Sequence, residues 1–277
     1  MSRFENKVVL ITGSSSGIGE ALARVFHNEG AKLVLLARRL ERLQKLQIEL
    51  DPDKKASIVL PCDVTKHADL QQAIFEARSH FGTIDIVIAN AGYTVTGSFH
   101  QLGIEDYQRQ FEVNVFGVLH TIKEALPSLI ESSGQIVIMG SVSSFLSIPT
   151  ISAYTMSKFA IRALAESLYL ELWGYGITTT LICPGFIDTE IHKIDKFGQY
   201  QPAFKSKVPE RFHISALDAA RIMIRGIDRR KKYVLITGHA KFLVFMGRYF
   251  SCLFDWISRL ALRLQTRISR KDKECFK

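Results

Sequence analysis

Tyr154 and Lys158 stand at i and i+4 in a stretch with helical periodicity, so one helix face carries both side chains. An ammonium beside a phenol favours the phenolate and lowers a pKa that is about 10 when unperturbed. Such a pair is a general acid/base suited to a carbonyl or a carbinol, although the same spacing also suits an ordinary exposed helix pair. Ser141, thirteen residues earlier, follows an apolar run, and its hydroxyl can both donate to and accept from a substrate oxygen. Asn114 interrupts the apolar surface of a long helical stretch and reads, by itself, as a buried amide satisfying nearby backbone.

A second group of residues suits phosphate. Thr12, Gly13, Ser14, Ser15, Ser16, Gly17, Ile18 and Gly19 follow the first apolar run and open a helical segment. Glycines let the backbone turn tightly against a pyrophosphate, while free N–H groups and the dipole of a helix N-terminus attract it. The spacing is GxxxGxG, not the GxGxxG usual in dinucleotide folds. About 20 residues past the last glycine an NAD site places an acid on the ribose 2′-hydroxyl, whereas an NADP site places arginine on the 2′-phosphate. Here the second apolar run ends in Ala37, Arg38 and Arg39, with no acid. These arginines also suit a solvated helix start. Asp63, after the third run, reads equally as an acceptor for an adenine amino group or as a helix cap. Asn90, Ala91 and Gly92 end the fourth run in a small-residue turn that permits close approach of a ligand.

The elements that must hold these residues follow from periodicity. Residues 7–11, 32–36, 57–60, 84–89, 135–139, 177–182 and 233–236 are short Val-, Ile- and Leu-rich runs, mostly without polar alternation, as strands covered on both faces require. Between them, residues 18–28, 40–50, 68–81, 104–130, 152–173 and 216–227 have helical period. The order predicts a doubly wound α/β fold: a parallel, Rossmann-like sheet of about seven strands with right-handed crossovers. Ligands in such sheets bind beyond the carboxyl ends of the strands, where the singled-out residues fall.

A chain of 277 residues, 47% hydrophobic and 10% aromatic, buries a large core, which excludes disordered, collagen-like and disulfide-scaffold classes. Cys62, Cys183, Cys252 and Cys275 show neither CxxC nor metal-ligand spacing, so no metal site and a reducing, cytoplasmic location are expected. The charged N-terminus lacks the apolar stretch of a signal peptide. The net charge of +9 is uneven: residues 1–228 hold 23 Lys and Arg against 24 Asp and Glu, and residues 229–277 hold 13 against 3.

Taken together, these motifs resemble the short-chain dehydrogenase/reductase family over about residues 5–238. The resemblance rests on the glycine loop, Asn90-Ala91-Gly92, the set Asn114, Ser141, Tyr154 and Lys158, and Pro184-Gly185 with Thr189 four residues on. It implies that Tyr154 is the acid in reduction and that Lys158 lowers its pKa and holds the nicotinamide ribose. By the same resemblance Ser141 polarises the substrate carbonyl, and Asn114 keeps a backbone kink and a bound water. Ile18 and either Ser14 or Ser16 meet the phosphates, Ile187 and Thr189 belong to the nicotinamide turn, and Arg38, with Arg39, selects NADP(H). Many NADP members also carry a basic residue just before the second glycine, where this chain has Ser16. A homodimer or homotetramer through the long helices is implied by analogy.

Residues 186–215, which in this family close over substrate, contain Phe186, Ile187, Ile191, Ile194, Phe197, Tyr200, Phe204 and Phe212. They favour a hydrophobic ketone or alcohol, or else pack the lid onto the body. The domain reading is a catalytic body over 1–238 and a basic amphipathic extension over 239–277. Within it, Lys241, Arg248, Asp255, Arg259, Arg263 and Arg267 oppose Phe242, Met246, Phe250, Leu253, Ile257, Leu260 and Leu264. Residues 240–267 therefore read as an interfacial helix on an anionic membrane, peripheral on the cytoplasmic face, or as a helix docked on the body or a partner subunit. The continuous apolar face and missing recognition motif argue against nucleic acid. The rival function is a catalytically silent dinucleotide-binding sensor or membrane-tethered interaction protein, against which the complete Asn-Ser-Tyr-Lys set argues.

Overall fold

A computed structural model describes residues 3–201, 213–250 and residue 259. Its main sheet has seven parallel strands in the order β3-β2-β1-β4-β5-β6-β9. In chain order the elements are β1 (Val8–Thr12), α1 (Gly17–Asn28), β2 (Lys32–Ala37), α2 (Leu40–Leu50), β3 (Ser57–Pro61), α3 (His67–Phe81) and β4 (Ile86–Ala89). There follow α4 (Ile104–Phe111), α5 (Gly117–Ser132), β5 (Gln135–Met139), α6 (Ser152–Glu171), β6 (Thr178–Cys183), β7 (Ile187–Asp188), β8 (Ile214–Ser215), α7 (Ala216–Asp228), β9 (Tyr233–Leu235) and α8 (Gly238–Tyr249). Strands β7 and β8 form a separate two-stranded ribbon.

Successive side chains of a strand point to opposite faces, so the unbroken apolar runs divide by parity into two cores. Val9, Ile11, Leu33 and Leu35 pack against α1, α2 and α7. Val8, Leu10, Val34 and Leu36 pack against α3, α5 and α6 on the other side. Polar alternation is missing because neither face meets water. The strand order reverses between β1 and β4, which pair in register Val9 with Ile86, so the cleft opens beyond their carboxyl ends.

The stretch 104–130, read as one helix, is interrupted. Residues 112–116 form a π-helical turn between α4 and α5, and Asn114 lies in it with 1% exposure. A π turn inserts one residue into the helical ladder and reorients the helix beyond it. The physical reason for the interruption is that the Asn114 amide faces inward and bonds the main chain of Tyr93.

The start of the basic extension, residues 239–249, is helical and seated on the body: α8 buries Ala240 and Val244 against Val142 and Leu146. The face read as its apolar stripe lies elsewhere, since Phe242 is 63% and Phe250 48% exposed. The two small side chains permit a closer approach than a row of aromatics would. Apart from residue 259, the stretch 251–267 of the expected helix lies outside the described residues, as do Phe204 and Phe212. Among the described residues no helix is long and apolar enough to cross a membrane.

Phe26 on α1 is fully buried and meets Phe4 edge-on, with ring centroids 5.0 Å apart. Phe26→Ala is expected to destabilise the fold by about 3–5 kcal/mol, because the site is walled by the sheet and cannot collapse. Urea denaturation measures this, and a loss under about 1 kcal/mol contradicts the packing described.

Candidate active site

The glycine loop is shaped by contact with the strand beside it. Gly13 has φ +67°, and a Cβ there would lie 2.9 Å from the Ala91 Cα. At Gly19 a Cβ would come within 2.4 Å of the Gly13 carbonyl oxygen, so only hydrogen lets α1 approach the loop this closely. The Asn90 side-chain amide donates to the carbonyls of Thr12 (2.9 Å) and Gly13 (3.2 Å). In return the Thr12 hydroxyl accepts from the backbone N–H groups of Asn90 (3.0 Å) and Ala91 (3.1 Å). Asn90-Ala91-Gly92 therefore braces the loop, beyond permitting close approach.

Ser16 precedes α1 without a side-chain cap bond to it, and Gly17 and Ile18 line the cleft. The first N–H groups of α1 and its positive dipole end thus face open volume, as an anion site requires. Ser14 departs from expectation. It is wholly buried, and its hydroxyl donates to the Leu36 carbonyl at 3.2 Å, so Ser15 and Ser16 line the cleft in its place. Spacing does not single out Ser15, because three consecutive serines carry no periodic signal.

At the end of β2, Arg38 is exposed and donates to the Gly198 carbonyl at 3.0 Å. Arg39 turns to the glycine loop: its Nε and Nη2 reach the Ser15 hydroxyl (3.2 and 3.1 Å), and Nη2 reaches Ser16 (2.7 Å). Asp63 also lines the cleft, where one carboxylate oxygen accepts from the backbone and hydroxyl of Thr65 at 3.1 and 2.9 Å. It makes a local turn ahead of α3, whose N-cap is Lys66.

The chemical groups gather at the ends of β4, β5 and β6. Ser141 caps a short 3-10 turn, with its hydroxyl accepting from the Ser143 N–H at 3.1 Å. Tyr154, Ser141 and Thr94 line the cleft together, and the Ser141 and Thr94 hydroxyls act to lower the Tyr154 phenol's pKa. Thr94 is a site residue missed in the sequence; the only cue is its place two residues beyond Asn90-Ala91-Gly92. Pro184 ties the neighbouring turn in, its carbonyl accepting from Val142 N–H at 3.1 Å. Thr189 lies against Gly17, since a Cβ added there would be 3.3 Å from its side chain.

Lysine and tyrosine share a face as expected, with the Lys158 ammonium 5.5 Å from the Tyr154 ring centroid. Their electrostatics differ from the expected lowering. Burial pushes the Tyr154 phenol up, against the Ser141 and Thr94 hydroxyls, which act to lower it. Burial also pushes Lys158 down to about 8. The reason is geometric: the ammonium is turned to the Met139 carbonyl at 2.7 Å. Asn114 stands behind this pair. Its amide exchanges bonds with Tyr93 N–H and carbonyl (3.2 and 3.1 Å) and donates to the Ser157 hydroxyl at 3.2 Å, fixing the α4–α5 junction to the strand end.

These residues line one cleft of about 1340 Å³. Of the residues singled out, Gly13, Ser16, Gly17, Ile18, Arg38, Arg39, Asp63, Asn90, Ala91, Gly92, Ser141, Tyr154, Lys158, Pro184, Gly185, Ile187 and Thr189 line it. Ser14, Gly19 and Asn114 support it from behind. A cradle that a Cβ would fill, a helix start facing open volume and two arginines about 20 residues on fit a dinucleotide. Cys62 and Cys183 are buried and unpaired, with thiols pushed up to about 12 by burial, and neither is suited to nucleophilic work.

Residues 7–196 match the family model described as short chain dehydrogenase. An uncharacterized oxidoreductase of Staphylococcus epidermidis is 36% identical over 200 residues, spanning 72% of this chain and 86% of that protein. An uncharacterized oxidoreductase of Staphylococcus aureus is also 36% identical, over 75% of this chain and 87% of its own length. Among solved structures, a short chain dehydrogenase/reductase from Burkholderia phymatum in complex with NAD superposes with TM-score 0.80 at 27% identity, covering 89% of this chain and 94% of that one. An alcohol dehydrogenase from Thermococcus sibiricus complexed with 5-hydroxy-NADP gives TM-score 0.73 at 28% identity, covering 83% and 96%. With the braced glycine loop, the Ser141–Tyr154–Lys158 cluster and these likenesses in one chain, the protein belongs to the short chain dehydrogenases and is an oxidoreductase of that family with a nucleotide-binding, Rossmann-like fold.

Proposed function

We propose that the chain is an NADP(H)-dependent oxidoreductase that interconverts a hydrophobic ketone and its secondary alcohol. The observation that carries this reading is that Ser141, Tyr154 and Lys158 gather in one cleft, with the Lys158 ammonium 5.5 Å from the Tyr154 ring centroid, and that the same cleft holds Arg38 and Arg39. When bound, the nicotinamide supplies or takes the hydride. The N–H groups at the start of α1 hold the pyrophosphate, and Arg38 meets a 2′-phosphate. Ser141 donates to the substrate carbonyl and orients it. Tyr154 gives its proton to the same oxygen as negative charge develops there, and the reverse order serves oxidation. A phenol pushed up by burial is protonated near neutrality and so is loaded for reduction. Lys158 supplies the positive charge that offsets the phenolate left behind.

An apolar substrate is supported by Ile148, Ile151, Phe186, Ile191, Ile194 and Phe197 in the lining of the cleft that holds Tyr154.

An anionic membrane surface is the partner that suits the extension. With Ala240 and Val244 taken by the body, α8 turns Phe242, Phe245 and Phe250 outward beside the exposed Lys241. Exposed aromatics next to a segment carrying 13 basic against 3 acidic residues match an interfacial element better than a buried stripe does.

Tyr154→Phe is expected to lower turnover by about 10²–10⁴-fold while coenzyme binding, followed by NADPH fluorescence, stays near wild type. Retention of most activity removes Tyr154 as the acid. For the native enzyme, kcat/KM for ketone reduction falls as pH rises through about 8, since Lys158 loses its charge there and the spent phenolate loses its counter-charge. Comparison of coenzymes gives kcat/KM at least about tenfold higher with NADPH than with NADH, and Arg38→Ala erases most of that ratio; equal values with the native protein overturn the coenzyme assignment. Finally, the full chain co-sediments with vesicles containing anionic lipid, less so in high salt or after Phe242→Ser with Phe245→Ser. Failure to sediment at low salt rules out the membrane reading.

A further inference from the structure

Glu190 opens the lid segment and lies within reach of the β2–α2 corner, 148 residues or more away in sequence. Its carboxylate accepts from Arg42 Nη1 at 2.8 Å and from Arg39 Nη1 at 3.3 Å. Burial acts to raise its pKa, but the bonds and charges of Arg42 and Arg39 win and hold it below the ordinary carboxylate value. The side chain is 29% exposed, so the contact is enclosed enough to matter and open enough to be displaced. The same lid touches the third arginine of this corner through the Gly198 carbonyl on Arg38.

Arg39 has little left to offer. Its Nε and Nη2 are held by Ser15 and Ser16, and its Nη1 by Glu190. Arg38 gives one bond to a neutral carbonyl and keeps its other donors. A carboxylate on Arg39 and Arg42 is itself an anion at the place where a phosphate would seek the same donors.

We propose that Glu190 sets the chain's discrimination between 2′-phosphorylated and unphosphorylated adenine nucleotides, by competing as an internal carboxylate for Arg39 and Arg42. The proposal rests on the NADP(H) reading for its biological meaning, yet concerns only which donors an added phosphate finds. It makes Glu190 a positioning residue: it acts through the arginines and touches neither the reacting carbonyl nor Tyr154. For two unit charges about 6 Å apart, at an effective dielectric between that of a protein surface and bulk water, Coulomb's law corresponds to about three- to tenfold in affinity, which sets the scale expected on removing the Glu190 charge.

The test is titration calorimetry of the full chain with adenosine 2′,5′-bisphosphate and with adenosine 5′-monophosphate, for the native protein, Glu190→Gln and the control Glu49→Gln. Glu49 pairs with Arg24 on the surface, so its variant removes a like charge at a pair outside the cleft. Expected is a gain of about three- to tenfold for the bisphosphate with Glu190→Gln, no change for the monophosphate, and no change for either ligand with Glu49→Gln. A purely structural role would shift both nucleotides together and overturns the proposal, as does an unchanged bisphosphate affinity. If the native chain shows no preference for the bisphosphate, the coenzyme reading fails by itself. Glu190→Gln then still decides: a preference that emerges upholds the competition, and none refutes it. Equal melting temperatures of the three proteins show that the variants fold alike.

Discussion

The Thr12–Asn90 lacing is the constraint on which the rest of the site depends. At the switch point two parallel strands end side by side, and their last backbone groups would be left without partners at the mouth of a cleft. Thr12 and Asn90 satisfy each other's main chains with two bonds, the Thr12 hydroxyl also accepts from the Ala91 N–H, and the Asn90 amide also fixes the Gly13 carbonyl against which α1 sits. Each such buried group left unpaired costs about 1–3 kcal/mol, comparable with a sizeable share of a domain's net stability. The same bonds that stabilise the sheet end therefore hold the glycine loop open. From there the effect spreads: Tyr93, three residues past Asn90, carries the backbone groups that Asn114 grips.

Around the reacting groups two effects oppose each other, and burial is the stronger. A phenol and an ammonium both lose hydration near the sheet end, which raises the first and lowers the second, so each is biased toward its neutral form. The Ser141 and Thr94 hydroxyls pull the phenol back only partly. For reduction this bias is useful, because the acid must carry a proton before it can give one. The lysine's remaining charge near neutrality then serves the phenolate after transfer, a state in which its attraction is larger than in the resting site.

The sheet and its helices were legible because unbroken apolar runs such as Val8 to Thr12 mark strands covered on both faces, and the 3.6 period marks buried helix faces such as Ala21 to Phe26. The proposed catalytic cluster was legible because Tyr154 and Lys158 share a helix face at i and i+4 and Ser141 follows a strand end at the open side of the sheet. What stayed hidden depends on side-chain direction within loops. Nothing in Ser14, Ser15 and Ser16 says which hydroxyl turns to Leu36 and which to the cleft, since the choice is made by β2. Thr94 depends on a loop path that no periodicity describes. Lys158 turns to the Met139 carbonyl at the end of β5, a partner that spacing along a helix cannot reveal. In α8 the largest apolar side chains suggested the docked face, but close approach favoured Ala240 and Val244.

Charge is distributed so that each part of the chain meets a different problem. The body is nearly neutral, and its three arginines at the β2–α2 corner are matched by lid groups: a carboxylate on two, a carbonyl on the third. Arg38 meets only a neutral carbonyl and lacks the ion-pair attraction that Arg39 and Arg42 have to Glu190. The segment is thus fastened at Glu190 by ion pairs and at Gly198 by one hydrogen bond. Ile191, Ile194 and Phe197 lie between those two fastenings and line the cleft, so that part of its lining is anchored by the β2–α2 corner. Under the proposed function, coenzyme charge and substrate shape would be read by one short stretch of chain.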